Sequence, residues 1–270
     1  MSGGRGKSRS GGRGGDRDGG RPTRLVIGRH PVRELLRARR PIEVIRLQDT
    51  RDPDPLVDEI VALAEEQKVR VETVPRDRLD ALAPDLVHQG LVATAPPFPY
   101  SDLAGAIAAA ERAGDPPLLV LLDGVTDPHN LGAIARTAEA VGAHALLIPG
   151  RRSVSVTPVA EKAAAGALAH LRVVPIGNLV RTLQGLHREH GTWSVGLDGD
   201  APTTIGASQL LTEPLVLVVG AEGAGLAHLT RESCDELVSL PMRGRVGSLN
   251  ASVAAGVALY AVRAARDATG

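Results

Sequence analysis

Residues 117–149 read PLLVLLDGVTDPHNLGAIARTAEAVGAHALLIP, and the order of their apolar runs points to one architecture. LLVLL (118–122) has no polar residue, the signature of a strand buried on both faces of a parallel sheet. LGAIARTAEAVGA then carries helical spacing, with Asp127 placed to cap the helix and Pro128 at its first position. ALLIP (145–149) is a second buried strand. A strand, a helix and a second strand within 33 residues form a parallel βαβ unit.

The same alternation continues to the C-terminus. TPVAEKAAAGALAH (157–170) reads as a helix, LRVVPI (171–176) as a strand and LVRTLQGLHREH (179–190) as a helix. TWSVGL (192–197), LVLVVG (215–220) and ELVSLP (236–241) follow as strands. NASVAAGVALYAVRAARD (250–267) is a long helix whose small residues permit close packing.

Upstream lies a second, smaller α/β pattern. RLVIGRHPVRELLRARR (24–40) gives a short strand, a turn and an amphipathic helix from about Pro31. IEVIRLQ, VRVETV and GLVATA read as strands, and DPLVDEIVALAEEQK as a helix. APPFPYSD and GDPP, with a short Ala-rich helix between them, mark a boundary. The expected organisation is therefore a tail (1–23), a small domain (24–97), a linker (98–116) and a larger domain (117–270).

Composition narrows the function. The 270 residues carry 31 Lys or Arg and 31 Asp or Glu, but residues 1–46 hold 13 basic and 4 acidic groups. A +9 front end on a −9 body suggests contact with a polyanion such as nucleic acid. Residues 1–23, rich in Gly, Arg and Ser, cannot bury enough surface to order themselves and read as disordered. Phe98, Tyr100, Trp193 and Tyr260 are the whole aromatic set, too few for a platform of stacked bases. No apolar run is long enough for a membrane span, and no apolar core follows the basic N-terminus as in a secretory signal. The lone Cys234 excludes an internal disulfide framework and fits a reduced cytoplasm.

Three loops follow expected strands, where open α/β sheets place their ligands: 123–140, 218–226 and 240–252. Singly, each is ambiguous. Asn130 reads as a helix cap or a site residue, and Arg136 as a site residue or a solvated side chain paired with Glu139. GAEGAGL is a plain turn or a phosphate-binding nest, and it lacks the G-x-G-x-x-G order of a dinucleotide site. His187 and His190 have no third ligand at a metal-site spacing, so no metal is expected, and Cys234 reads as structural.

Together, DPHNLGAIARTAEAVGA, VVGAEGAGL and LPMRGRVGSLNASVAAG closely resemble the three motifs of the SpoU–TrmH branch of the SPOUT methyltransferases. The resemblance covers residues 117–270, and IGRHPVRELL to HQGLVA resembles that family's L30e-like substrate-binding domain. It implies an α/β fold with a deep trefoil knot, a homodimer, and S-adenosylmethionine as cofactor. It also implies methyl transfer to a ribose 2′-hydroxyl of RNA. The two-domain layout is most similar to enzymes acting on a guanosine of large-subunit ribosomal RNA. Thiostrepton-resistance enzymes, which modify an adenosine, share it. A non-enzymatic RNA-binding factor and an NAD enzyme are the competing classes; intact Arg136, Glu222, Ser248 and Asn250 disfavour the first.

Carried over by position, Gly220, Leu240 and Leu249 bind the cofactor, with Glu222, Gly223, Met242 and Ser248 beside them. Gly220 and Gly223 suit close backbone approach to a ligand. The catalytic set is Arg136, Ser248 and Asn250, joined by Asn130 and Glu139. A guanidinium holds its proton, so Arg136 suits stabilising an oxyanion or clamping a phosphate; phosphate, water or Glu139 would take the proton. Gly132 leaves room one turn before Arg136 for a nucleotide or a partner subunit. Arg29, Arg33, Arg37, Arg39 and Arg40 would grip RNA. Ala251 stands where a Val is common, and Arg243 and Arg245 where small or polar residues are usual. These two arginines are a phosphate contact or a solvated loop.

Overall fold

The computed structural model describes residues 22–49, 52–150 and 155–269. The tail expected over 1–23 lies almost wholly outside the described residues.

The first domain is built on a mixed four-stranded sheet. Its strands are β1 (Arg24–Ile27), β2 (Val44–Gln48), β3 (Arg70–Val74) and β4 (Leu91–Ala95), in the order β1-β4-β2-β3. β4 runs antiparallel to β1 and β2, and β2 parallel to β3. Helices α1 (Arg29–Arg37) and α2 (Pro55–Glu66) bury Val32, Leu35, Leu36, Val57 and Ile60 against Ile45, Leu47 and Leu91. A further helix, α3 (Arg76–Leu82), has no counterpart in the sequence reading; Leu79 is its only buried side chain, so it lacks an apolar stripe. α1 starts at Arg29, two residues before the expected Pro31, because Gly28 supplies the turn with φ 97°. Pro31 then occupies the third helical position, where an N–H has no intrahelical partner in any case.

The second domain is an all-parallel six-stranded sheet. β5 (Leu118–Asp123), β6 (Ala145–Pro149), β7 (Arg172–Ile176), β8 (Trp193–Leu197), β9 (Leu215–Gly220) and β10 (Glu236–Val238) lie in the order β10-β8-β9-β5-β6-β7. The central β5 and β9 are buried almost throughout, which is why both read as unbroken apolar runs. On one face lie α5 (Pro128–Ala140), α6 (Pro158–Ala163) and α9 (Ala251–Asp267), sharing a core with Leu118, Val120, Leu217 and Val219. On the other, α4 (Leu103–Ala113) and α7 (Leu179–His190) pack on Leu119, Leu121 and Val216. The remaining helix, α8 (His228–Ser233), is short. Residues 98–116 are thus more than a connector, since Ala106 and Ile107 of α4 belong to the larger domain's core.

Three local expectations differ from the structure. The helix expected over 157–170 ends at Ala163, then turns through Ala165 (φ 50°) and Gly166 (φ 102°) into a 3-10 segment, Ala167–Ala169. A Cβ on Gly166 would lie 2.4 Å from Cγ of Glu34, so α1 of the other domain presses on this turn. The strand expected over 236–241 stops at Val238, where Ser239 N–H turns aside to the Thr203 carbonyl. Gly132 makes room for neither nucleotide nor partner: its absent Cβ would sit 2.4 Å from the Ala160 carbonyl oxygen, so α6 fills that space.

The domains meet along α6 and the 3-10 turn. Arg24 reaches the buried Glu161 at 3.1 Å, and Arg40 Nε donates to the Ala169 carbonyl at 3.1 Å. Lys162 Nζ donates to the Val87 carbonyl, and His170 meets Glu34 at 3.1 Å.

Candidate active site

The carboxyl ends of β8, β9 and β10 open into a cavity of about 350 Å³, within the range of small-molecule sites. Gly220, Glu222 and Gly223 line it from the loop after β9. Leu240, Met242, Ser248 and Leu249 line it from the segment leading to α9. All seven cofactor candidates therefore face one space. Asp198, Gly199 and Asp200, just after β8, also line it, and Arg231 of α8 pairs with Asp198 at 2.9 Å. The sequence reading missed these residues; their signal was position alone, at the end of a strand in a ligand-binding sheet.

The 221–225 loop is folded back on itself. Ala221 and Gly225 exchange both backbone hydrogen bonds at 2.9 Å, and a Cβ on Gly220 would lie 2.3 Å from the Gly225 carbonyl carbon. Gly220 is thus required by its own loop before any ligand arrives. Gly223 has open space around it and is required for its φ of 75°. Asp123, at the end of β5, anchors the loop's exit by accepting from Ala227 N–H at 2.8 Å.

A chain of side-chain amides stitches the three loops together. Asn130, buried in the first turn of α5, donates from Nδ2 to Glu222 at 3.4 Å, and its Oδ1 accepts from Asn250 Nδ2 at 3.0 Å. Asn250 Oδ1 caps α9, accepting from Ser252 N–H at 2.9 Å and Val253 N–H at 3.3 Å. The cap of α5 is Asp127, which accepts from His129 N–H at 2.8 Å, leaving Asn130 free for this network.

Arg136 lies elsewhere. It is exposed on α5 and faces, with Glu139, a second cavity of about 560 Å³ whose lining shares no residue with the first. Neither side chain makes a hydrogen bond or ion pair among the described residues, so the pairing of Arg136 with Glu139 is not formed. The expected catalytic residues therefore divide: Ser248 lines the first cavity, Asn130 and Asn250 are tied to its Glu222 by hydrogen bonds, and Arg136 and Glu139 line the second.

The arginines expected to grip RNA are mostly engaged. Arg29 reaches Asp54 and the Gln89 carbonyl, Arg33 and Arg37 share Glu34 and Glu59, and Arg39 pairs with Glu66. Arg40 is committed to the domain seam. Such surface pairs are weak and can exchange a carboxylate for a phosphate, Arg40 excepted. Arg243 and Arg245 are exposed and unpaired among the described residues.

Cys234 is poorly placed as a nucleophile, because burial beside Asp235 and Asp123 pushes its thiol up to about 12. His187 stands edge-on to Trp193, centroids 4.7 Å apart. No group of three metal-ligating side chains occurs among the described residues, and no described helix is long and apolar enough to cross a membrane.

A parallel sheet with a glycine-folded, acid-bearing cavity at its strand ends defines an α/β enzyme built to hold a small polar cofactor. Residues 117–260 match the SpoU rRNA Methylase family, and residues 25–101 match the RNA 2′-O ribose methyltransferase substrate binding domain; the chain belongs to the SpoU rRNA methylase family. It is 44% identical over 244 residues to the 23S rRNA (guanosine-2′-O-)-methyltransferase RlmB of Pseudomonas syringae, covering 90% of this chain and 96% of that protein. It is 40% identical over 245 residues to a TrmH family tRNA/rRNA methyltransferase of Bacillus subtilis, YacO, covering 91% and 97%. The crystal structure of the SpoU methyltransferase AviRb from Streptomyces viridochromogenes in complex with AdoMet superposes with a TM-score of 0.74. That match has 26% identity over 91% of each chain.

Proposed function

We propose that this protein transfers a methyl group from S-adenosylmethionine to a ribose 2′-hydroxyl of RNA, acting on a guanosine of 23S ribosomal RNA in the cytoplasm. The observation that carries this is that the 218–226 and 240–252 loops line one cavity and the 123–140 loop is tied to both by the Asn250–Asn130–Glu222 hydrogen bonds. Similarity to RlmB supports the guanosine.

The first cavity fits the cofactor. Its lining pairs apolar Leu240, Met242 and Leu249 with carboxylates at Asp198, Asp200 and Glu222, matching a ligand with an apolar base, a ribose and positive charge. When bound, S-adenosylmethionine supplies an electrophilic methyl group. What remains for the protein is to present the ribose oxygen and keep it nucleophilic. Arg136 retains its proton and donates to the developing oxyanion or the adjoining phosphate. The 2′-hydroxyl would give its proton to Glu139, to water or to that phosphate while its oxygen takes the methyl group, the methyl–sulfur bond breaking with its electrons left on sulfur as the C–O bond forms.

Because the two cavities are separate within one chain, Arg136 acts on the cofactor site of the partner in a homodimer. Val253, Val257 and Tyr260, spaced along one face of α9 and exposed, supply an apolar surface for that contact. The C-terminal segment threads as the family's trefoil knot. RNA is held by charge rather than stacking, through Arg243 and Arg245 near the cofactor and the arginines of α1.

The test is transfer of labelled methyl to unmodified large-subunit rRNA, with the product mapped for 2′-O-methylation. One methylated guanosine supports the proposal. A methylated adenosine moves the protein to the resistance type, and transfer only to tRNA removes the ribosomal assignment.

A further inference from the structure

The cavity at Arg136 is built by both domains of one chain. His30 and Arg33 face it from α1, Gly166 and His170 from the 3-10 turn region, and Arg136 and Glu139 from α5. Its charges are unevenly satisfied. Glu34, also in the wall, accepts from Arg33 at 2.9 Å, from Arg37 at 3.2 Å and from His170 at 3.1 Å. Burial pushes the Glu34 carboxyl up, but these partners outweigh it and hold the group below its ordinary value. Its negative charge is spent on them. His30 and Arg136 are both exposed and make no hydrogen bond or ion pair among the described residues. Glu139 is the unpaired carboxylate of the described lining.

The walls are also held in place relative to each other. The Arg24–Glu161 and Arg40–Ala169 contacts fix the small domain on α6 and its turn. Gly166 admits α1 so closely that a Cβ would meet Glu34 at 2.4 Å. A group bound between α1 and the turn therefore sits at a set distance from Arg136, as a positioning site requires. With few aromatics in the chain, the ligand is one recognised by N–H donors rather than by stacking.

We propose that this inter-domain cavity binds a backbone phosphodiester flanking the target ribose, with His30 and His170 acting beside Arg33 as positioning residues. The small domain thereby delivers the ribose to Arg136 instead of only raising overall RNA affinity. The inference rests on the methyl-transfer reading of Arg136.

The test uses the full chain and an rRNA hairpin carrying the mapped nucleotide, synthesised with a neutral methylphosphonate at either flanking phosphate. For the native chain, one of the two replacements lowers kcat/KM about tenfold, the value of one lost charge-assisted hydrogen bond. His30→Ala, an exposed side chain without bonds, lowers kcat/KM on the unmodified hairpin severalfold while Tm and calorimetric cofactor affinity stay unchanged. His30→Ala combined with His170→Ala brings the loss to about tenfold, and the same methylphosphonate then adds little, because the contact is already gone. Multiplying penalties, or variants without effect on the hairpin, overturn the proposal. No transfer by the native chain despite cofactor binding overturns the methyl-transfer reading instead, and the proposal with it.

Discussion

Arg136 reaches no carboxylate among the described residues, which leaves its N–H donors free for an anion. Replacing it with Ala should lower kcat about 10²- to 10³-fold, the range for losing an oxyanion donor, while calorimetry shows unchanged cofactor affinity. A parallel loss of cofactor affinity would place Arg136 in the first cavity. Arg266 serves the fold instead. Buried in α9, it donates to the carbonyls of Pro116, Pro117, Leu211 and Glu213 at 2.6–3.2 Å. Burial lowers its pKa, and its loss strands the carbonyls of Pro116, Leu211 and Glu213, while that of Pro117 keeps the Leu215 N–H. Arg266→Met should cost about 3 kcal/mol in chemical denaturation. Nothing in the sequence separates Arg266 from Arg263, one turn earlier and exchanging with Asp267 at the surface. Which carbonyls lie beneath a helix is settled by tertiary packing. His144 sets a pH effect: burial lowers its pKa, and its Nδ1 accepts from Leu118 N–H at 3.1 Å. The unfolded chain therefore binds the proton more tightly, and stability falls as pH drops below about 6.5. His144→Gln should flatten that part of the stability-versus-pH curve; an unchanged slope would assign it to other groups.

Elements whose cause is local were legible, and those whose cause is remote were not. β5, β6 and β9 announce themselves as apolar runs, and α5 by Asp127 and Pro128 at its start. The break after α6 has one local mark in its Ala-rich sequence, Gly166, and the close approach of Glu34 that bars a side chain there comes from the other domain. Gly132 misled for the same reason: a small residue marks close approach without naming what approaches. Since the neighbour is α6 backbone, Gly132→Ala must push the helices apart. Thermal melts should show a loss of more than about 2 kcal/mol, as for overpacked interiors. An unperturbed variant would mean that α6 yields readily.

Across the whole molecule, the cofactor loops were legible as a set because three motifs share one sheet edge. The position of Arg136 was not, because nothing in a linear motif says that its helix face turns toward the small domain. Under the proposed function, that separation would make the protein a two-chain enzyme and the N-terminal domain a part of the active site. Subunit mixing tests this most directly. Arg136→Ala leaves the first cavity intact, while Ser248→Trp, at an exposed position of its lining, fills that cavity and leaves Arg136 intact. Each variant alone should be inactive in methyl transfer to rRNA. Refolded together in equal amounts, they should recover about a quarter of native activity, since half the dimers carry one complete site of two. A mixture as inactive as its parts would contradict a shared site and return Arg136 to the cofactor of its own chain.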